Sequence, residues 1–369
     1  MTTYLRAPEA ARRLGVTTAS LYSYVSRGRI SRTLGSDGRS SLFDVDDVDA
    51  LIAASSRPVP PPPTIDVRIS TSITQLDEAG LRYRGVAVDE LVDQPFEQVC
   101  GLLWNDAPGN RSETPDLRSS NPSVDVGPLN VLGIIRLATG IDRDLEPIDA
   151  ATRLLGDIAR TGRCHHPGAS FAHRLAHLWV AEPSPQLVRA INSTLVLLAD
   201  HGLATSTLAV RVATSVRASP ISSLIAGLAT VEGELHGAAA FHAFRLFEEI
   251  ELGGAARVLT RYRCDKRRVP GFGHKIYRDR DPRFELLLDR VRTLPDPCHR
   301  LSVVDDTISA AGALVSRLPN IDLALGALAY VAGLPADLPL FAIARIAGWT
   351  AHHLEELHEP PVRFRGLAH

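Results

Sequence analysis

Beyond residue 70, apolar residues recur mostly three and four positions apart, and strand-like stretches are few and short. Leu187, Val188, Ile191, Leu195 and Leu198 mark one such stripe, which Asp200-His201-Gly202 brings to an end. Leu340, Ile343, Ala347, Leu354 and Leu357 mark another near the C-terminus. The expected fold class is mainly α, with Pro and Gly as punctuation. Residues 112–128 are rich in Ser, Pro and Asp and read as a loop. No internal repeat is visible.

The first 56 residues follow another pattern. Residues 8–14 predict a first helix, stopped by Gly15, and Thr17 or Thr18 can cap a second helix through Val25. Two short helices joined by a Gly-containing turn suggest a helix-turn-helix. A turn over 35–39 and an extended 40–43 lead to a third helix over 44–51, with acids in its first turn. Next comes Pro58-Val59-Pro60-Pro61-Pro62-Pro63. Proline fixes φ and has no N–H, so these residues favour polyproline II and cannot continue a helix. At about 3.1 Å per residue they would hold their neighbours roughly 19 Å apart. The expected organisation is a module over 1–56, a linker over 57–65 and a body over 66–369.

A length of 369 residues suits two or three domains. Aromatics are only 5%, so Leu, Val, Ile and Ala must fill the core. The net charge of −2 argues against wholesale binding to nucleic acid or membrane, but a local patch is present. Through residue 41 seven arginines face only Glu9 and Asp37. Arg12, Arg13, Ser20, Tyr22, Arg27 and Arg29 are the candidate DNA contacts. No run of 18 apolar residues and no basic-then-apolar leader appears, so no membrane association is expected. Cys100, Cys164, Cys264 and Cys298 are scattered without a CxxC pair or a Cys/His ladder. No metal, no disulfide framework and a cytoplasmic setting are expected.

"EAARRLGVTTASLYSYVSRGRI" and "DVDDVDAL" resemble the winged helix-turn-helix of MerR-type and excisionase-like proteins. The resemblance implies DNA binding through residues 1–53, as a pair within a dimer. Two plainer readings stand beside it. The module could dock a partner or aid assembly, or its arginines could be a solvated face.

Downstream, His, Asp, Arg and Gly concentrate in polar turns, where chemistry usually sits. The clusters are Asp200-His201-Gly202, Glu232-Gly233-Glu234-Leu235-His236-Gly237, and Pro270-Gly271-Phe272-Gly273-His274 running on to Asp281-Pro282-Arg283. A fourth element pairs Asn320-Ile321-Asp322 with Phe341-Ala342-Ile343-Ala344-Arg345. Taken singly, each has a structural reading: a capped helix end, a tight turn, an N-cap, a buried ion-pair partner.

In order and approximate spacing, the set resembles the citrate synthase family from about Ile73 to the C-terminus. "ITQLDEAGLRYRG", "LLADHGLATSTLAVRV", "EGELHG", "PGFGHKIYRDRDPR", "PNIDLALG" and "FAIARIAGWTAHHLE" carry it. The resemblance implies all-helical large and small domains, the small one over about 249–340, and a homodimer. It implies no bound cofactor, with a coenzyme A thioester as co-substrate and oxaloacetate as its partner. Asp322 matches the base that deprotonates the thioester methyl group. His236 matches the donor to the enol oxygen, and His274 the group that polarises and protonates the ketone. His201, Arg283 and Arg345 match dicarboxylate-binding residues, which suits fork-shaped donors. Arg278 matches a coenzyme A phosphate contact, and Gly271 and Gly273 allow close backbone approach there.

The chain departs from the family at three places. His236-Gly237 is followed by Ala238 rather than a second Gly, and Gly202 stands where an acid usually follows the binding His. The tail reads His358-Glu359-Pro360-Pro361-Val362-Arg363-Phe364-Arg365, which puts Glu359 where a cross-subunit Arg is expected. Arg363 or Arg365 is the substitute, with Arg363 the chosen candidate. The leading expectation is citrate synthesis from acetyl-CoA. The alternatives are 2-methylcitrate synthesis from propionyl-CoA, and a DNA-binding regulator that uses the body as a metabolite sensor.

Overall fold

The structure is a computed structural model that describes residues 4–55, 69–105, 114–117, 129–161, 168–315 and 317–365, apart from 27, 29, 36, 39, 78, 79, 275, 276, 278 and 279. Residues 1–68 and 69–369 form two compact units. The expected linker over 57–65 and most of the expected loop over 112–128 lie outside the described residues.

The first unit runs β1 (Tyr4–Arg6), α1 (Ala7–Leu14), α2 (Thr18–Ser26), β2 (Thr33–Leu34), β3 (Ser41–Asp44) and α3 (Val45–Ser55). Its strands form an antiparallel sheet in the order β1-β3-β2. Short polar signals set the helix ends. Glu9 accepts from the Arg6 N–H at 3.2 Å, and Gly15 ends α1 at φ 69°. Of the two candidate caps of α2 it is Thr17 that acts, accepting from the Ser20 N–H at 3.2 Å. Asp44 does the same for α3 through the Asp46 N–H at 2.9 Å. Ala10, Ala11, Leu21, Ile30, Phe43 and Val48 close a small core between these elements.

The second unit opens with β4 (Thr74–Asp77), β5 (Gly80–Tyr83) and β6 (Val86–Ala87), an antiparallel meander that the sequence pattern did not announce. Helices follow: α4 (Val88–Leu91), α5 (Phe96–Trp104), α6 (Val131–Thr139), α7 (Pro147–Arg160), α8 (Phe171–Ala176), α9 (Pro185–Leu198), α10 (Thr205–Ser215), α11 (Pro220–Glu232), α12 (Glu234–Gly237), α13 (Ala239–Gly253), α14 (Ala255–Cys264), α15 (Pro282–Val291), α16 (Arg300–Leu314), α17 (Ile321–Val331) and α18 (Leu340–Leu357). Ser184, Ser219, Asp281 and Asn320 cap α9, α11, α15 and α17, and Pro185, Pro220 and Pro282 take the first helical position, where no N–H is needed. The mainly helical expectation holds. Among the described residues no helix is long and apolar enough to cross a membrane.

The helix α18 is buried along most of its length and packs on α5, α7, α9, α10 and α11. Its approach to the end of α9 is very close. A Cβ on Gly348 would lie 2.5 Å from the Ala199 carbonyl oxygen and 2.8 Å from the Asp200 Cβ. Gly348→Ala is therefore expected to destabilise the fold by about 2–3 kcal/mol in chemical denaturation, since this contact is backbone and cannot yield. The same contact sets where the turn after α9 sits.

Candidate active site

Helix ends deliver the candidate side chains. His201 follows α9, His236 sits on α12, His274 lies between α14 and α15, Arg283 begins α15, Asp322 lies in the first turn of α17, and Arg345 lies inside α18. The segment before His274 is fastened to the start of α17. Gly273 N–H donates to the Leu318 carbonyl at 2.7 Å and Asn320 N–H to the Gly271 carbonyl at 2.9 Å. The Asn320 amide then donates to the Gly273 carbonyl at 2.7 Å, while its oxygen accepts from the Asp322 N–H at 3.0 Å. His274 and Asp322 are thus held by one hydrogen-bonded strap. Gly271 is required for it: φ is 77°, and a Cβ would lie 2.7 Å from that of Leu323.

Aromatic and charged contacts extend the cluster. His201 and His274 meet edge to face at 5.3 Å, and Tyr277 lies 4.9 Å from the His274 ring and 5.4 Å from that of His201. The Tyr277 hydroxyl is 3.2 Å from His201 Nε2. Its N–H donates to His274 Nδ1 at 3.2 Å, which places the ring hydrogen of a neutral His274 on Nε2. Asp281 clamps Arg283 through two bonds of 3.0 and 2.9 Å and also accepts from the Ile321 N–H at 3.0 Å. Arg283 is consequently a buried half of an ion pair, with its guanidinium 5.1 Å from the Tyr277 ring.

Arg345 links the remaining groups. Its Nε donates to the Leu198 carbonyl at 3.0 Å, its guanidinium stands 4.6 Å over Phe341, and its buried Nη1 finds no hydrogen-bond partner among the described residues. Phe341 in turn meets the His236 ring at 5.7 Å, and His236 Nε2 is 2.9 Å from Ser206 Oγ. The charge of Arg345 is felt at Asp322, His201 and His236.

These surroundings set the protonation states. Burial pushes the Asp322 carboxyl up to about 6, with Arg283 and Arg345 pulling down and Asp281 pushing up. Burial, then Arg283 and Arg345, hold His201 well below the usual histidine range. Burial and Arg345 lower His236, and burial and Arg283 lower His274 against the opposing pull of Asp281. The site thus combines three imidazoles whose neutral form is favoured with a buried carboxyl held above the usual carboxylate range.

Two cavities border the group. One of about 230 Å³ is lined by His274, Tyr277, Arg280, Asp281 and Arg317. The other, about 270 Å³ and mostly apolar, is lined by Val231, Gly237, Ala238, Leu325, Ala329 and Phe341 among others. Among the described residues no cluster of His, Cys, Asp and Glu could hold a metal ion.

The model of the citrate synthase C-terminal domain matches residues 156–365, more than half of the chain. The chain belongs to the citrate synthase family. It is an enzyme of the citrate-synthase type, a transferase. It is 28% identical over 320 residues to citrate synthase of Mycolicibacterium smegmatis, covering 75% of this chain and 85% of the relative. A 2-methylcitrate synthase of Mycobacterium tuberculosis is 31% identical over 200 residues, 52% of this chain and 50% of that one. The fold is that of solved citrate synthases. The Thermotoga maritima enzyme matches at a TM-score of 0.68 and 24% identity, over 82% of this chain and 92% of that chain. The Thermoplasma acidophilum enzyme, solved with carboxymethyl coenzyme A and oxaloacetate, matches at 0.69 and 23%, over 82% and 93%.

Against this family frame, six of the singled-out residues share the contacts above: His201, His236, His274, Arg283, Asp322 and Arg345. Arg363 is engaged elsewhere. Its guanidinium makes two bonds to Glu356, at 2.7 and 2.5 Å, lies 3.6 Å from Glu359 and stacks on Phe364. Arg278 lies outside the described residues, as do Arg27 and Arg29. In the first unit Arg13 is bound to Asp49 at 2.8 and 2.7 Å, and Ser20 faces the Thr17 hydroxyl at 2.9 Å. Tyr22 donates to Ser41 at 3.1 Å, and Arg12 is exposed. Tyr277 and Asp281 were given no role of their own in the sequence, although both lie inside the quoted Gly-Phe-Gly-His to Asp-Pro-Arg block. The rationale for Gly271 also changes, since docking on α17 already demands a glycine there.

Proposed function

We propose that this enzyme condenses an acyl-CoA, acetyl-CoA foremost, with oxaloacetate to give citrate and free CoA. What supports this most is Arg345: a buried cation whose Nη1 finds no partner among the described residues, and whose charge acts on the raised Asp322 carboxyl and the lowered His236. An ionised Asp322 takes a proton from the thioester methyl carbon, while His236 donates to the thioester oxygen as the enol forms. The enol carbon attacks the ketone of oxaloacetate, and His274 gives its Nε2 hydrogen to the new alkoxide. Water then cleaves the thioester. His201, Arg283 and Arg345 hold the dicarboxylate. The apolar cavity beside Phe341 suits the acyl end, and Gly271, Gly273 and Arg278 are the residues assigned to the coenzyme A phosphates. Closure of a small domain over about 249–340 would exclude water from the enol.

Thiol release from acetyl-CoA with oxaloacetate tests this, and no release from acetyl- or propionyl-CoA with any 2-oxo dicarboxylate refutes it. Propionyl-CoA as the preferred substrate would give 2-methylcitrate. Arg345→Gln keeps a donor for Leu198 but removes the fork. It is expected to raise the KM for oxaloacetate roughly ten- to over a hundredfold, the worth of one charge-assisted bond.

A second reading concerns residues 1–53 as a DNA-binding winged helix-turn-helix. The α1-turn-α2 pair followed by the β2–β3 hairpin favours it. Gel-shift titration against the upstream region, with and without oxaloacetate, should then show affinity falling steeply with salt. Salt-insensitive or absent binding would leave a docking role. We also place the enzyme in the cytoplasm as a homodimer, a state favoured by the exposed Val212 on α10 and Val216 just beyond it and measurable by sedimentation.

A further inference from the structure

Beneath the proposed oxaloacetate site lies a buried polar chain that the chemistry above does not use. It starts at Asp200, a fully buried carboxylate one residue before His201. Its Oδ2 accepts from the Gly202 N–H at 3.0 Å, so the carboxylate closes a turn around the backbone of His201. The same oxygen accepts from the Thr74 hydroxyl and lies 3.2 Å from His352 Nε2. His352 is seven residues after Arg345, two turns along α18, and so shares its face. The Arg345 and Asp200 charges act on one another, which makes Asp200 a counter-charge of the buried Arg345 fork.

The other ring nitrogen of His352 meets Arg211 on α10, with Nε at 3.1 Å and Nη2 at 2.9 Å. Arginine only donates, so His352 Nδ1 must accept and the ring hydrogen must sit on Nε2, aimed at Asp200. Arg211 is itself fully buried and is held by Glu356 at 2.8 Å and by Glu355. Glu356 is also the residue that holds Arg363. A continuous chain of charge-assisted bonds therefore runs from the tail through Glu356, Arg211 and His352 to the turn that carries His201.

We infer that His352 is a positioning residue for the dicarboxylate site: Arg211 locks its tautomer, and its Nε2–H fixes Asp200 and thereby His201 and Arg345. The inference rests on His201 and Arg345 binding oxaloacetate, as proposed above. His352 touches no reacting atom. Loss of its hydrogen bond frees the Asp200 carboxylate to rotate, which opens the turn at Gly202 and alters the field on Arg345.

The test compares His352→Gln with His352→Asn in the full chain. The Gln amide reaches the Nε2 position and keeps the bond to Asp200, whereas the Asn amide reaches only the Nδ1 position and keeps Arg211. Losing one charge-assisted bond predicts about a tenfold rise in oxaloacetate KM for His352→Asn, with the acyl-CoA KM within about twofold and His352→Gln within about threefold of the parent. Thr74→Val removes the second donor at nearly constant volume and predicts a rise of about threefold, which keeps the idea open to refutation if a His352 variant fails to fold. A parental oxaloacetate KM in His352→Asn, or equal shifts in both substrates, overturns the inference. If the parent shows no turnover, the function proposed above fails instead. The tautomer is still readable then: the ¹⁵N ring signals that vanish in His352→Gln should show hydrogen on Nε2 and none on Nδ1 at neutral pH, and hydrogen on Nδ1 overturns it.

Discussion

Asp322→Asn is expected to reduce turnover by about 10²- to 10⁴-fold, the range set by losing a positioned general base. The folded chain is expected to become more stable at the same time. Both effects have one cause. Burial pushes the Asp322 carboxyl from 3.8 up to about 6, so at neutral pH the fold holds an ionised group in a place that disfavours it. Below pH 3.8 the group is protonated in folded and unfolded chains alike and its charge costs nothing. Between 3.8 and about 6 the folded chain keeps the proton that the unfolded chain has released, so stability falls as pH rises through that window. Above it the whole cost is present. At about 1.4 kcal/mol per pH unit the gap approaches 3 kcal/mol; the side chain keeps some exposure, so the gain in Asp322→Asn is set at about 1–3 kcal/mol. Urea denaturation at pH 7.5 measures it, and the advantage should vanish by about pH 4. In the parent enzyme the same titration should appear as an acid limb near pH 6 in kcat/KM. Burial with Arg345 lowers His236, and burial with Arg283 lowers His274, from the ordinary histidine value, so the loss of the limb in Asp322→Asn assigns it. A variant that loses stability, or an activity that stays flat from pH 7 to 5, would mean that Asp322 is not the base.

The parts of the fold and of the site that could be read in the sequence are those whose cause is local. Thr17 and Asp44 are capping residues within three positions of the N–H they serve, and Pro185, Pro220 and Pro282 begin helices for reasons confined to one turn. His236, His274 and Asp322 were found through motifs that lie in helix-end turns. What escaped is long-range. The β4–β5 hairpin owes its place to Tyr83, whose hydroxyl donates toward the Val196 and Asp200 carbonyls at 3.0 Å, more than a hundred residues away. Thr74 meets Asp200, and Arg211 meets His352, across similar separations that leave no period in the chain. Arg363 shows the converse. Its place in the tail suggested a ligand for the dicarboxylate, yet Glu356, seven residues earlier and fully buried, already engages its Nε and Nη2. A buried acid within reach captures an arginine whatever the motif around it implies.

Arg211→Met is expected to give the largest stability loss of any single change considered for this fold. The arginine is fully buried and donates to Glu356, Glu355 and His352 together. Methionine fills much of the same volume, so the cavity contribution is small and what remains is charge. Glu356 would keep only the partly exposed Arg363, and His352 would lose the donor that fixes its tautomer. Stranding a buried charge in this way costs about 3–5 kcal/mol, which for a unit of this size lowers Tm by on the order of 10 °C. Arg211→Lys should recover only part of that, because one ammonium cannot reproduce a fork that meets three partners. The sharper comparison is the double variant Arg211→Met, Glu356→Gln. If the loss comes from an unpaired carboxylate, removing that charge restores stability, and the pair is less damaging than the sum of the two single changes by about 1–3 kcal/mol. Strict additivity would instead assign the loss to packing, and the polar chain to the His201 turn would then be a consequence of the fold rather than one of its supports.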